Sequence, residues 1–248
     1  MAKLRAENIT MGFDGERVIE DISLKLNEGE IVSLLGVSGS GKTTLFNVLS
    51  GLYSPESGKV YLDGEDITGK AGKISYMLQK DLLLPHYTII DNVSLPLVIK
   101  GEKKKTAREK AMPYFAEFGL EGTQKKYPGE LSGGMRQRAA LLRTYLSSEG
   151  VALLDEPFSA LDTITKSAIH TWYLDIMKKI NLSTIFVTHD IDEAILLSDR
   201  IYILSGKPGR ITDEIEITLP KPRSNKDVMT EAFISYKRLI AEKIAFEF

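Results

Sequence analysis

The stretch IVSLLGVSGSGKTT, Ile31 to Thr44, restricts the possible folds of this chain more than any other. Its first five residues are a short apolar run of the kind found in strands covered on both faces. The next nine satisfy the spacing G-x-x-x-x-G-K-[ST] through Gly36, Gly41, Lys42 and Thr43. Small residues from Val37 through Ser38, Gly39, Ser40 and Gly41 let backbone N–H groups approach a phosphate, and a helix starting there adds positive potential. Lys42 is placed to bridge the β- and γ-phosphates of ATP, and the Thr43 hydroxyl to ligate Mg²⁺. Gly36 and Ser38 to Thr44 are therefore the candidate nucleotide-binding residues.

A strand followed by a helix implies repetition elsewhere, and the chain supplies it. Further apolar runs occur at Ile74 to Leu78, Val151 to Leu154, Thr184 to Thr188 and Ile201 to Leu204. Helices are expected from the phosphate loop to Ser50, stopped by Gly51, and from Thr163 to Ile180, stopped at Asn181. This alternation predicts an α/β fold with a mostly parallel core sheet. Residues 1–30 and 58–67 instead alternate polar and apolar residues between turns, which predicts a small antiparallel β subdomain beside the nucleotide. From Pro85 to Leu146 the strand signal disappears, so a helical insertion is expected. Val228, Ala232, Phe233, Tyr236, Leu239 and Ile240 then recur at helical spacing, which suits a tail helix closing the domain's own core or docking on a partner or membrane surface.

The chain is thus expected to be one domain over 1–248. Residues 1–85 and 147–222 form the nucleotide-binding core with its β subdomain, 86–146 the helical subdomain and 223–248 a helical tail. Its 32 basic and 34 acidic residues nearly cancel, so no general field favours nucleic acid, and no nucleic-acid partner is expected. The absence of cysteine excludes disulfides and thiolate chemistry. Apolar runs fall short of the roughly 20 residues that cross a bilayer, and the N-terminus lacks the apolar centre of a secretory signal.

Two more segments carry chemistry. VALLDEP places Asp155 and Glu156 at a strand end beside the phosphate loop. Neighbours on a strand point to opposite sides, so different roles are expected: Asp155 on the magnesium side, Glu156 as the general base polarising the attacking water. LSGGM, Leu131 to Met135, opens a helix with Ser132, Gly133 and Gly134, a second place where bare backbone could meet an anion.

The order and spacing of GVSGSGKTT, LSGGM, VALLDEP, SALD and THD resemble the ATP-binding cassette (ABC) family, whose ATPases are P-loop NTPases, across nearly the whole chain. The resemblance implies that Gln79 senses Mg²⁺ and the attacking water. It implies that His189 contacts the γ-phosphate, that Phe13 stacks on adenine, and that Asp162 of SALD belongs to the nucleotide site. Core packing is a rival reading for Phe13, and His86 and His170 have no comparable context. Ser132 to Gly134 would contact ATP held by a second ATP-binding subunit, in a head-to-tail pair that is expected to be a homodimer. Met135 departs from the commoner glutamine and leaves the serine and glycines intact.

LLLPHYTIIDNVSLPL resembles the part of importer cassettes that grips a membrane subunit. GKPGRI and LPKPRS are similar to cassettes of the nitrate, sulfonate, taurine and pyrimidine-precursor importer group. These likenesses imply a peripheral ATPase on the cytoplasmic face of the membrane, working with an integral membrane permease and an extracytoplasmic solute-binding protein. A cassette of a non-importing complex, for lipoprotein release or cell division, would share the catalytic motifs and stays open at this point.

Overall fold

A computed structural model describes residues 2–158 and 163–245. The chain opens with a long hairpin, β1 (Ala2–Phe13) and β2 (Glu16–Asn27), then enters the interior as β3 (Ile31–Leu35). After α1 (Lys42–Leu49) it returns to the hairpin as β4 (Ser57–Leu62) and β5 (Glu65–Asp66), giving an antiparallel sheet in the order β2-β1-β4-β5. β6 (Ser75–Met77) follows, and then the helical segment: α2 (Ile89–Ile99), α3 (Lys104–Ala111), α4 (Tyr114–Glu117) and α5 (Gly133–Ser147).

β7 (Val151–Asp155), α6 (Thr163–Ile180), β8 (Ser183–Thr188), α7 (Ile191–Leu197), β9 (Arg200–Ser205) and β10 (Arg210–Glu216) complete the core. The large sheet has the order β10-β9-β3-β8-β7-β6 and is parallel except for β10. The expected strands are present, most of them a residue or so longer or shorter than the apolar run suggested.

Alternation along these strands divides the interior in two. Ile31, Leu35, Ala152, Leu154 and Phe186 face one cluster, shared with α5 and α7. Val32, Leu34, Val151, Leu153, Ile185 and Val187 face another, filled by α1 and the antiparallel layer. Both faces being covered is why these strands read as continuous apolar runs. In β2, by contrast, Ile22, Leu24 and Leu26 are buried between exposed residues, as expected for a strand with one wet face.

The tail settles back on its own chain. Phe233 and Ile240 of α8 (Glu231–Ala245) are fully buried in the first cluster, and Tyr236 packs against it. Val228 lies before the helix in a short 3₁₀ turn, Asp227–Met229, while Ala232 and Leu239 are exposed, so the apolar face is narrower than its spacing suggested. No helix among the described residues is long and apolar enough to cross a membrane.

Parallel β3, β6, β7 and β8 all end on the same side. In register, Leu35 stands beside Thr188, Asp155 beside Val187 and Met77 beside Leu154. The residues that follow these ends therefore converge, as ligand-binding loops do in open parallel sheets.

Candidate functional site

The loop after β3 has little freedom. A methyl group at Gly36 would lie 2.3 Å from the Leu204 carbonyl oxygen, and one at Gly41, whose φ is 94°, would lie 2.4 Å from Ile19. Glycine is thus demanded here by packing as well as by backbone conformation. Gly41 caps α1, leaving the first N–H groups of that helix directed at the loop. Lys42 folds over the loop and donates to the Gly36 and Val37 carbonyls at 2.8 and 2.7 Å. Burial lowers its pKa, with Glu156 and Asp155 pulling the other way. An ammonium so placed is poorly hydrated and is stabilised further by a phosphate charge in the loop.

Opposite the loop stand the two carboxylates. Asp155 is the last residue of β7 and is buried; its pKa is raised by desolvation and by the neighbouring Glu156 charge, against hydrogen bonds from Tyr76 and Thr43 and the charge of Lys42. Two adjacent anions, one desolvated, favour a bound cation. Glu156 is not on the strand. Its φ of 44° turns the backbone left-handed, and its N–H donates to the Val187 carbonyl at 3.1 Å.

The expectation that strand alternation separates the two carboxylates is therefore corrected: both line one pocket, and the turn at Glu156 gives each its own direction. Such a conformation is strained for a residue with a side chain and is typical of functional sites.

Glu156 is gripped from two sides. The Gln79 amide donates to it at 2.9 Å, and His189 Nδ1 lies 3.4 Å from its other oxygen. His189 remains largely exposed, while the residue before it, Thr188, is buried and donates to the Glu193 carboxylate at 2.6 Å. The pocket so formed has a volume of about 590 Å³. Ser38, Gly39, Gly41, Lys42, Thr43, Thr44, Gln79, Asp155, Glu156 and His189 line it.

Other expected residues lie elsewhere. Gly36 and Ser40 support the loop from behind without lining the pocket, and the buried Ser40 hydroxyl has no hydrogen-bond partner among the described residues. Phe13 ends β1 with 43% of its surface exposed, in edge contact with Tyr53, and is neither core nor pocket wall. Ser132 caps α5 by accepting from the Met135 N–H at 3.3 Å, and with Gly133 and Gly134 it stays outside this pocket. Asp162 lies outside the described residues.

Two residues escaped the sequence reading. Val18 of β2 forms part of the pocket wall, and the Tyr76 hydroxyl donates to Asp155 at 3.4 Å. Burial raises the Tyr76 pKa strongly, so it stays a neutral donor. Neither carries a motif; the pairing of β6 with β7 brings Tyr76 there.

The donor set fits a magnesium nucleotide. No group of three or more His, Cys, Asp or Glu side chains that could hold a metal exists among the described residues. A hydroxyl, an amide and one carboxylate, Thr43, Gln79 and Asp155, beside an anion-binding loop suit a hard cation that takes its remaining oxygens from phosphate and water.

Comparison with known proteins agrees with this geometry. The ABC transporter family matches residues 19–159. The formylaminopyrimidine import ATP-binding protein ThiZ of Halalkalibacterium halodurans is 48% identical over 200 residues, covering 81% of this chain and 78% of that protein. The aliphatic sulfonates import ATP-binding protein SsuB of Bacillus cereus is 39% identical over 230 residues, covering 93% and 89%. Among solved structures, the dimeric ATP-binding cassette MJ0796 in a post-hydrolysis state bound to ADP and Pi matches with a TM-score of 0.74 at 29% identity, over 88% of this chain and 100% of that one. The chain belongs to the ABC transporter family, as an ATP-binding subunit with ATPase activity related to import cassettes.

Proposed function

We propose that this chain drives uptake of a small solute of the sulfonate, nitrate, taurine or pyrimidine-precursor type. In this reading two copies work with an integral membrane permease at the cytoplasmic face, fed by an extracytoplasmic solute-binding protein. The names of the similar proteins, which import formylaminopyrimidine and aliphatic sulfonates, support the solute class. The observation that carries the ATPase part is the left-handed Glu156, held by Gln79 and His189 opposite the phosphate loop.

The geometry supports the roles given to the pocket residues, and the family resemblance supports those of Phe13, Asp162 and Ser132 to Gly134. Lys42 and the N–H groups of Ser38 to Thr44 bind the β- and γ-phosphates. Thr43, Gln79 and Asp155 would hold Mg²⁺, which would supply charge neutralisation to the phosphates. Tyr76 orients Asp155 by its hydrogen bond. Glu156 accepts a proton from the attacking water, and Gln79 and His189 keep its carboxylate aimed, His189 also meeting the γ-phosphate. Phe13, exposed at the hairpin end, is available to adenine. The Ser132–Gly134 helix start, which this pocket does not include, belongs to the closed pair, where the helix start of one copy meets the γ-phosphate bound by the other, and Asp162 belongs to the nucleotide site.

ATP then favours the closed pair because both copies contact its γ-phosphate, and hydrolysis removes that preference. The dimeric state of the similar cassette MJ0796 supports this arrangement.

Tagged wild-type and Glu156→Gln protein, recovered from membranes of the source organism with ATP, test the assembly. Recovery of a permease and a solute-binding protein is expected from both. Recovery of soluble proteins alone, under conditions that preserve transporter complexes, would remove the importer reading and leave the ATPase.

A further inference from the structure

The segment just after Gln79 is held far more firmly than an exposed loop requires. Arg143 of α5 donates to the Asp81 carbonyl at 2.6 Å and to the Leu82 carbonyl at 2.9 Å. One turn into the same helix, Arg136 donates to the Asp81 carboxylate at 3.2 Å and to the Leu131 carbonyl at 2.8 Å. The two arginines are seven residues apart, on one face of α5. That helix begins at Ser132 to Gly134.

The grip has consequences for the backbone. Leu82 has φ of 43°, a conformation rare for a bulky residue, and the guanidinium holds its carbonyl there. With this turn Leu82 stands 53% exposed, Leu83 is buried and Leu84 is 40% exposed. From the other side, fully buried Asn92 of α2 brackets Leu84, accepting from its N–H at 2.6 Å and donating to its carbonyl at 3.1 Å. Two leucines are thus displayed on a frame tied to two helices. Three residues upstream of Leu82, Gln79 touches Glu156.

We infer that Arg143 is a positioning residue that joins three parts into one mechanical unit: the Gln79 end of the nucleotide pocket, the exposed Leu82–Leu84 surface and the helix that starts at Ser132. A planar fork with two aligned donors suits this task, because it fixes both the direction and the separation of two successive carbonyls. Burial of the guanidinium, which lowers its pKa against the opposing charge of Asp81, reduces competition from water. Lysine would keep the charge and lose the fork. The inference rests on the reading that Gln79 responds to bound nucleotide, and it adds that Arg143 conveys this response to the leucine surface and to α5 together.

The chain has no cysteine, so a single Leu84→Cys substitution accepts one nitroxide label. In a Glu156→Gln background, saturating Mg-ATP is expected to change the label's mobility. Adding Arg143→Gln is expected to reduce that change to less than about one fifth, with affinity for a fluorescent ATP analogue kept within about threefold. Arg143→Lys, which retains the charge, is expected to lose at least about half of the change at an unaltered melting temperature.

A full response in Arg143→Gln, or in folded Arg143→Lys should the glutamine variant fail to fold, would overturn the inference. So would a parent label that ignores ATP while the analogue binds. Size-exclusion chromatography of the same samples separates this inference from the two-copy reading: a normal label response without an ATP-dependent dimer sinks the latter alone.

Discussion

Asp155 and Glu156 are adjacent in sequence and differently surrounded because the first ends a strand and the second turns out of it. Glu156 faces Gln79 and His189, which can hold its carboxylate as it gains and loses a proton. Glu156→Gln is expected to reduce ATP hydrolysis by about 10²–10⁴ while nucleotide binding persists, the loss typical of removing a general base. Phosphate release and analogue binding measured on the same sample check both halves.

Asp155 behaves differently. Burial and the Glu156 charge raise its pKa, so the folded protein holds its proton more tightly than the unfolded chain does. The sign follows: without Mg-nucleotide, this group makes stability fall as pH rises from the ordinary carboxylate value through the raised one, and the cost is complete above that. Asp155→Asn is therefore expected to raise the melting temperature of the nucleotide-free protein by about 2–4 °C, the shift that about 1 kcal/mol gives in a chain of this size. The same variant is expected to lose magnesium-dependent hydrolysis. Thermal unfolding across acid and neutral pH, with a hydrolysis assay, tests the pair of effects.

At the scale of elements, legibility followed burial. β3, β7 and β8 are legible because both faces are covered: every residue is buried, and each strand has an apolar centre. β10 gives no strand signal in the sequence. It pairs only with β9 at the sheet edge, and of its seven residues Ile215 alone is buried, so its sequence RITDEIE carries little apolar signal.

The left-handed turns at Leu82 and Glu156 were equally invisible, since neither residue type announces such a backbone; tertiary hydrogen bonds impose it. Asn92 shows the same dependence on partners. Fully buried, it also donates to the Tyr87 and Thr88 carbonyls at 3.1 and 3.2 Å, and so seals the start of α2. Asn92→Ala is expected to cost about 1–3 kcal/mol, the penalty of leaving buried polar groups unpaired. Urea unfolding at constant denaturant slope would measure it.

At the scale of the whole molecule, the phosphate loop was legible because close backbone approach restricts the residues allowed there, as Gly36 and Gly41 show. Val18 lines the pocket from β2 and Tyr76 reaches Asp155 through the pairing of β6 with β7, and no local pattern marks either. The helix start at Ser132 lies apart from the phosphate-loop pocket. In the proposed head-to-tail pair of two copies, that helix start would meet a phosphate and each site would draw residues from both chains.

Mixing two inactive variants tests this directly. Lys42→Ala removes the phosphate-binding ammonium. Gly134→Asp places an anion against the partner's phosphate at a first-turn position where the helix itself tolerates acidic residues. Random pairing of equal amounts makes half of the dimers mixed, each with one intact site of two, so about one quarter of wild-type ATPase activity is expected from the mixture and almost none from either variant alone. A mixture as inactive as its components, or full activity in Gly134→Asp by itself, would contradict a site shared between two chains.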